Sequence, residues 1–404
     1  MTTRPLARFL DRQTPPHIAT LVLLTGLGAL STNVFLPSLP NMTTYFQTQY
    51  WVMQLSVTLY LGVTAVLQLF IGPLSDRFGR RPVMLAALSG FILATIGTLL
   101  APTAETFLIA RMCQAVVIGS LVLSRAAVRD MVGQNEAASM IGYVTMGMAI
   151  VPMIGPMIGG LLDEIWGWQA IFALMLAAGI AVLALAWADM GETAAARPTS
   201  FAAQAREYPE LLASPRFWGY CLAAAFASGT FFAYLGGAPF VGTEVFHLTP
   251  AILGFYFGAP AVGYALGNGL SGRFSARYGV NRMVLIGSLV TFAGVGALMV
   301  IYAAGVVHPA VFFGFFSTVG LGNGLMLPNA TAGMLSVRPH LAGTASGLGG
   351  AMMTGGGAAL AALTGVLLTP GSGAMPLLWI MLASAAGAVG AIWFVIRRAA
   401  RIGA

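Results

Sequence analysis

Twelve apolar runs, each close to the length of one bilayer crossing, set the terms on which this chain can fold. They span about residues 18–39, 51–71, 83–101, 106–128, 139–162 and 168–188, then 216–240, 251–271, 283–305, 310–333, 343–369 and 376–397. A hydrocarbon core about 30 Å thick takes about 20 apolar residues per helix, so each run is one crossing. Only 8% of the 404 residues are charged, against roughly 25% in soluble domains. That excludes an ordinary cytosolic enzyme. The expected fold class is an all-α polytopic membrane protein with 12 transmembrane helices.

The net charge of +7 would suit nucleic acid only as a patch on a soluble face, and no soluble domain is present. With the N-terminus inside, the loop and tail arginines, from Arg4, Arg8 and Arg12 to Arg397, Arg398 and Arg401, fall on the cytoplasmic side. This is the positive-inside pattern, and it places both termini in the cytoplasm. Cys113 and Cys221 fall within helices, one in each half, and read as small core residues rather than a disulfide or metal pair. The first run follows a basic, proline-containing lead and shows no small-residue cleavage site, so a retained helix is expected.

The longest polar stretch, 191–214, divides the chain into residues 1–190 and 215–404, six crossings each. It reads as a cytoplasmic linker between two bundles. SDRFG at Ser75–Gly79, after the second run, is matched by SARYG at Ser275–Gly279, after the eighth. Two pseudo-symmetric six-helix bundles form a transporter architecture, with substrate bound near the midplane between them.

Within GPLSDRFGRRP, Gly72 is expected to allow close helix approach and Gly79 a tight turn. Asp76 can face the positive N-terminal end of another helix, here the eleventh, which begins near Gly343. Docked there it would latch the halves shut on the cytoplasmic side. Arg77, Arg80 and Arg81 can pair with acids or lipid phosphate, and Asp130 is the expected partner of Arg80 or Arg81. The fifth run carries GMAIVPMIGPMIGG. Pro152 and Pro156 deny this helix two backbone hydrogen bonds and bend it, while Gly147, Gly155, Gly159 and Gly160 leave a smooth face for tight packing.

These segments carry a resemblance. GPLSDRFGRRP is similar to the loop motif of the major facilitator superfamily, and the glycine and proline pattern of the fifth run to the motif of its drug:proton antiporter branch. FLPSLP in the first run, VRD at Val128–Asp130, WGWQAIF at Trp166–Phe172 and PHLAGTASGLGG at Pro339–Gly350 together resemble the Bcr/CflA (bicyclomycin and chloramphenicol resistance) family. The resemblance implies a multidrug exporter of the bacterial inner membrane, trading drug-like molecules for protons. It implies small-molecule drugs, protons and membrane lipids as partners, no nucleic acid, no cofactor and a monomer.

One position departs from that pattern. The family usually carries an acid just before the FLP-like stretch, and Asn33 stands there. Asn cannot exchange a proton, whereas an intramembrane carboxylate with a raised pKa can. Every acid of the chain lies at a helix end, in a loop or in a tail. Arg111 is the clearly intramembrane charge, and with Gln114 it matches the family's Arg and Gln motif. It sits roughly 8 Å in from the outer end of its helix, and Asn33 roughly 9 Å in from that of the first. A buried Arg needs acceptors, which Asn33, Gln114 or substrate can supply. Tyr234, Phe255 and Tyr256 are candidate pocket-lining aromatics, and equally candidate interface residues. An intramembrane lipid-modifying enzyme would need clustered acids, His with a metal, or a nucleophile with its base, and no DxxD-type or HExxH cluster occurs.

Overall fold

The computed structural model describes residues 7–131, 134–194, 209–338 and 341–402, apart from the side chains at 129, 134–139, 141–143, 145–150, 153, 342–343 and 401–402. The first bundle comprises α1 (Ile18–Asn33), α2 (Leu39–Tyr45), α3 (Tyr50–Phe78), α4 (Arg80–Leu99), α5 (Ala104–Gln114), α6 (Ile118–Met131), α7 (Gln134–Trp166) and α8 (Trp168–Asp189). The second comprises α9 (Pro215–Glu244), α10 (Pro250–Tyr256), α11 (Ala259–Tyr278), α12 (Val280–Ala303), α13 (Pro309–Ser336), α14 (Ala342–Leu367) and α15 (Met375–Ile402). Among the described residues, 11 helical spans are long and apolar enough to cross a membrane. The 33-residue α7 completes the set of twelve.

Three crossings are broken. The first passes from α1 through a 3-10 turn at Leu36–Ser38 into α2, because Pro37 and Pro40 cannot donate to a continuing ladder. The fourth breaks at the 3-10 turn Ala115–Val117 between α5 and α6. The eighth breaks at Phe257–Gly258, between α10 and α11. By contrast α7 continues unbroken through Pro152 and Pro156.

The segment expected as a loop is mostly helix. α3 runs to Phe78 and α4 starts at Arg80, so Gly79 alone makes the turn, at φ 97° and ψ 150°. Its counterpart Gly279 joins α11 to α12 at φ 80° and ψ 158°. Both glycine amides donate to the serine carbonyl four residues back, Ser75 or Ser275, at 2.9 Å.

In the second bundle, helices approach to backbone contact. A Cβ on Gly263 of α11 would fall on the Ser317 carbonyl of α13, and one on Gly320 of α13 on the Pro260 carbonyl of α11. Small residues permit such contacts in a bilayer, where packing replaces the hydrophobic drive between helices. The outer surface is apolar, with Leu93 and Val300 each 69% exposed.

Candidate functional site

Arg111, on the last turn of α5, is 1% exposed and caged. Its guanidinium stands 4.0 Å from the Tyr60 ring centroid and 4.5 Å from that of Phe35. One terminal nitrogen donates to Gln114 Oε1 at 2.7 Å and to Ser31 Oγ at 3.0 Å, and the other to the Ser31 carbonyl at 2.6 Å. Gln114 passes the chain on by donating to Thr95 Oγ1 at 2.8 Å, and Tyr60 Oη lies 3.3 Å from Ser31 Oγ. Two aromatic faces and neutral oxygens thus replace a carboxylate counter-ion. Among the described residues, Nε of Arg111 has no partner.

Asn33 does not serve Arg111. Its Nδ2 donates back to the Ala29 carbonyl at 2.8 Å, leaving Oδ1 buried and unpartnered. The acceptor is Ser31, two residues earlier. Ser31, Phe35, Tyr60 and Thr95 were not singled out from sequence, since single small or aromatic residues in an apolar run carry no signal of their own.

Of the aromatic candidates, Phe255 and Tyr256 meet edge to face at 6.0 Å between ring centroids, and Tyr234 packs elsewhere. Tyr234 is buried, packed on Phe316 at 4.5 Å and Phe257 at 5.2 Å between ring centroids, with its hydroxyl unpartnered. Tyr256 stacks on Phe313 at 5.1 Å, while Phe255 is 66% exposed. Phe255 therefore does not share a pocket with Tyr234. Asn323 and Asn329 act as helix glue, donating to the Ala227 carbonyl at 3.2 Å and to Ser271 Oγ at 2.8 Å.

At the arginine-rich end, Arg80 joins Asp76 at 2.5 Å and Asp130 at 3.1 Å, and also bonds Ser75 Oγ. Arg81 takes a different part: its Nε donates to the Met190 carbonyl at 2.7 Å and its Nη2 to that of Trp187 at 3.0 Å, capping the end of α8. Arg77 leans over the Phe78 ring at 5.4 Å. Glu192 accepts from the Arg80 amide at 2.8 Å and the Arg81 amide at 3.2 Å, capping α4 where negative charge is favourable. A Cβ on Gly79 would strike that carboxylate. Around Gly72 nothing lies within 4 Å of where a Cβ would stand, so close helix approach does not account for it. Gly147 lies within α7, and its packing, like the docking of Asp76 at Gly343, falls among the side chains outside the described set.

The two bundles meet along α3 with α14 and α7 with α10. A Cβ on Gly159 would fall on the Val34 carbonyl, and one on Gly160 on the Pro250 carbonyl of the second bundle. Gly155 is less constrained: the nearest neighbour of a Cβ there, Leu30 Cδ1, lies at 3.7 Å. On α3, Tyr50 Oη donates to the Gly236 carbonyl at 2.8 Å, Gln54 Nε2 to the Ala361 carbonyl at 2.6 Å and Gln68 Nε2 to Thr354 Oγ1 at 3.3 Å. Gln54 and Gln68 are 14 residues apart, about four turns, and so share a face. That spacing was the available signal for this seam. The end remote from the arginine-rich turns is closed, with α7 and α3 seated against the second bundle.

Residues 21–362 match the family described as the Major Facilitator Superfamily. The chain belongs to the major facilitator superfamily: it is a multi-pass membrane transporter, not an enzyme. Its relatives are of the Bcr/CflA drug-efflux kind. It is 31% identical over 349 residues to the chloramphenicol resistance protein of Pseudomonas aeruginosa, covering 83% of this chain and 82% of that one. It is 30% identical over 370 residues to multidrug resistance protein D of Escherichia coli, covering 89% and 90%, and 28% identical over 357 residues to the bicyclomycin resistance protein homolog of Haemophilus influenzae, covering 86% and 88%. The fold is shared with a bacterial homolog of the human lysosomal transporter Spinster, at TM-score 0.65 and 17% identity over 95% and 94% of the two chains.

Proposed function

We propose that this chain exports small, hydrophobic, uncharged drugs across the bacterial inner membrane by alternating access, with both termini in the cytoplasm. The arginine-rich turns then mark the inner face, and the closed end faces outward. The relatives named for resistance to chloramphenicol and bicyclomycin support the substrate class. The observation that carries the reading is the seam between the bundles. Gly160 and Gly254 bring α7 and α10 to backbone contact, and among the described residues no salt bridge crosses the seam, a surface that can part and re-form. Residues 1–190 and 215–404 are the two rocking bodies in this reading, joined by 191–214.

Cationic drugs are disfavoured. The buried charge described along the crossings is Arg111, and its partners are neutral, so a second cation nearby would meet repulsion in a low-dielectric interior. Proton exchange in this reading uses a route other than position 33, where Asn33 stands. Asn33 favours a second reading, an uncoupled facilitator of the same fold.

Proteoliposomes carrying the protein or its Asn33→Asp variant separate these readings. Export of a neutral fluorescent drug against its gradient, with proton counterflow, is the outcome expected of the unmodified protein. Downhill movement alone, made uphill by Asn33→Asp, establishes the facilitator. No drug movement by either sinks both.

A further inference from the structure

The outward end of α7 holds an acid that the seam does not explain. Asp163 lies past the apolar run of the fifth crossing and is 5% exposed. Its Oδ2 accepts from Asn41 Nδ2 of α2 at 2.7 Å. The Ser38 hydroxyl, in the 3-10 turn before α2, stands beside it and bonds nothing else. No cation pairs with Asp163 among the described residues. It sits one turn beyond Gly159 and Gly160, where α7 meets Val34, Pro250 and Ala251. Next to it, Glu164 Oε2 accepts the Ala251 amide of α10 at 3.3 Å, already in the second bundle. The 3-10 turn that supplies Ser38 packs on α7, α9 and α10 together.

We propose that Asp163 is the proton-responsive latch of this gate: taking up a proton holds the gate closed, and losing it lets the gate part. The inference rests on the transport reading only for what the gate is used for. A buried carboxylate with neutral partners pays for its lost hydration. Protonated, Asp163 keeps Asn41 on one oxygen with the Ser38 hydroxyl beside it, and no charge is left without hydration. Ionised, it is better placed in water, which it reaches only when α2 and α10 move off α7.

Burial pushes the Asp163 carboxyl above the usual carboxylate range, against the opposing hydrogen bonds of Ser38 and Asn41, and the neighbouring Glu164 adds to the rise. The elements packed around it also carry Tyr45 on α2, Glu244 on α9, His247 in the turn after it and Tyr256 on α10, and the same end holds Tyr50 on α3, Glu105 on α5, Tyr302 on α12 and His308 before α13. A group that binds its proton more tightly in the closed form favours that form as pH falls, and the preference is lost as pH rises through the raised value. The proton enters and leaves on the same side, so Asp163 sets the gate's response to outside pH and carries no net charge across the membrane.

The test is a distance measurement across the gate. Spin labels go on Leu161→Cys of α7 and Ile252→Cys of α10, both exposed, in the full chain with Cys113→Ser and Cys221→Ala, in lipid nanodiscs without drug. The closed-to-open ratio is expected to rise as pH falls from about 8 to about 5, by up to about tenfold per unit. Asp163→Asn should stay closed and flat across the range, and Asp163→Glu should regain a pH response. An Asp163→Asn protein that titrates like the parent overturns the proposal. Should that variant fail to fold, Asn41→Ala decides: losing a donor to the ionised form moves the midpoint to higher pH, and an unmoved midpoint overturns the proposal equally. Because no drug is present, a flat parent curve counts against the latch and leaves the transport reading standing, whereas a normal gate curve in a protein that moves no drug does the reverse.

Discussion

The two bundles share a plan and are held together differently. The first is organised around charge: Arg111 in its aromatic cage, and Arg80 between Asp76 and Asp130 with Glu192 capping the next helix. The second is organised around missing side chains, with Gly263 and Gly320 letting α11 and α13 touch backbone to backbone. The matched turns make the contrast local. Gly79 and Gly279 have nearly the same backbone, yet Ala276 stands where the first turn has Asp76, and nothing lies within 4 Å of a Cβ on Gly279. Repetition preserved the geometry of the turn and not its electrostatics. A backbone path is set by one glycine, whereas a charge network needs several partners on separate helices at once.

The comparison breaks most sharply at Arg111. Arg111→Ala strands Gln114, Ser31 and two aromatic faces inside the bundle, and the expected loss is about 3–5 kcal/mol, the scale of a cavity left by a large buried side chain together with orphaned polar groups. Arg111→Met, which fills the space without charge, should cost less than half of that. Thermal melting of the purified protein in detergent checks both, and equal losses would mean that volume rather than polarity holds the cage.

One substitution made in both bundles sharpens the difference. Gly320→Ala drives a methyl into the Pro260 carbonyl and should cost about 1–3 kcal/mol. Gly119→Ala on α6 meets the Ala87 methyl at 3.1 Å, a contact that a shift of a few tenths of an ångström between helices relieves, and should cost about 1 kcal/mol. If the two melt alike, backbone contact is not what distinguishes the second bundle.

The turns come next. Gly79→Ala and Gly279→Ala both place a Cβ on positive-φ backbone, at about 1–3 kcal/mol. The first also displaces Glu192 from two amides, an extra cost of about 1 kcal/mol that the second lacks. The difference between their melting points is the quantity to read. Smallest are the charge edits. Asp130→Asn weakens a pair whose acid is 26% exposed and should cost about 0.5–1 kcal/mol. Ala276→Asp, copying the first turn's acid into the second, should shift stability by no more than about 0.5 kcal/mol.

Much of the fold was legible in the chain because a membrane leaves a helix little freedom: a run of about 20 apolar residues is a crossing. The glycines of GPLSDRFGRRP and the fifth run were legible as motifs, although two of them proved unequal. Gly79 is strained and crowded, while Gly72 stands in open space. The site was legible in its loudest member, Arg111, and in Gln114, and not in Ser31, Tyr60 or Phe35, which look like ordinary members of an apolar helix until they meet the guanidinium. Asp163 read as one more acid at a helix end or in a loop for the same reason.

By itself, then, the sequence determined the class of molecule, the number of crossings and the division into two bundles, because each of these is a property of a local stretch of chain. Only the tertiary structure decided that Asn33 turns back on its own helix, that Ser31 rather than Asn33 receives Arg111, that Glu192 reaches from beyond the end of α8 to cap α4, and that an acid in the last turn of α7 is buried beside α2. Those are pairings between distant residues. A side chain's hydrogen-bond partner is chosen by which helices pack against it, and helix spacing along the chain carries no record of that choice.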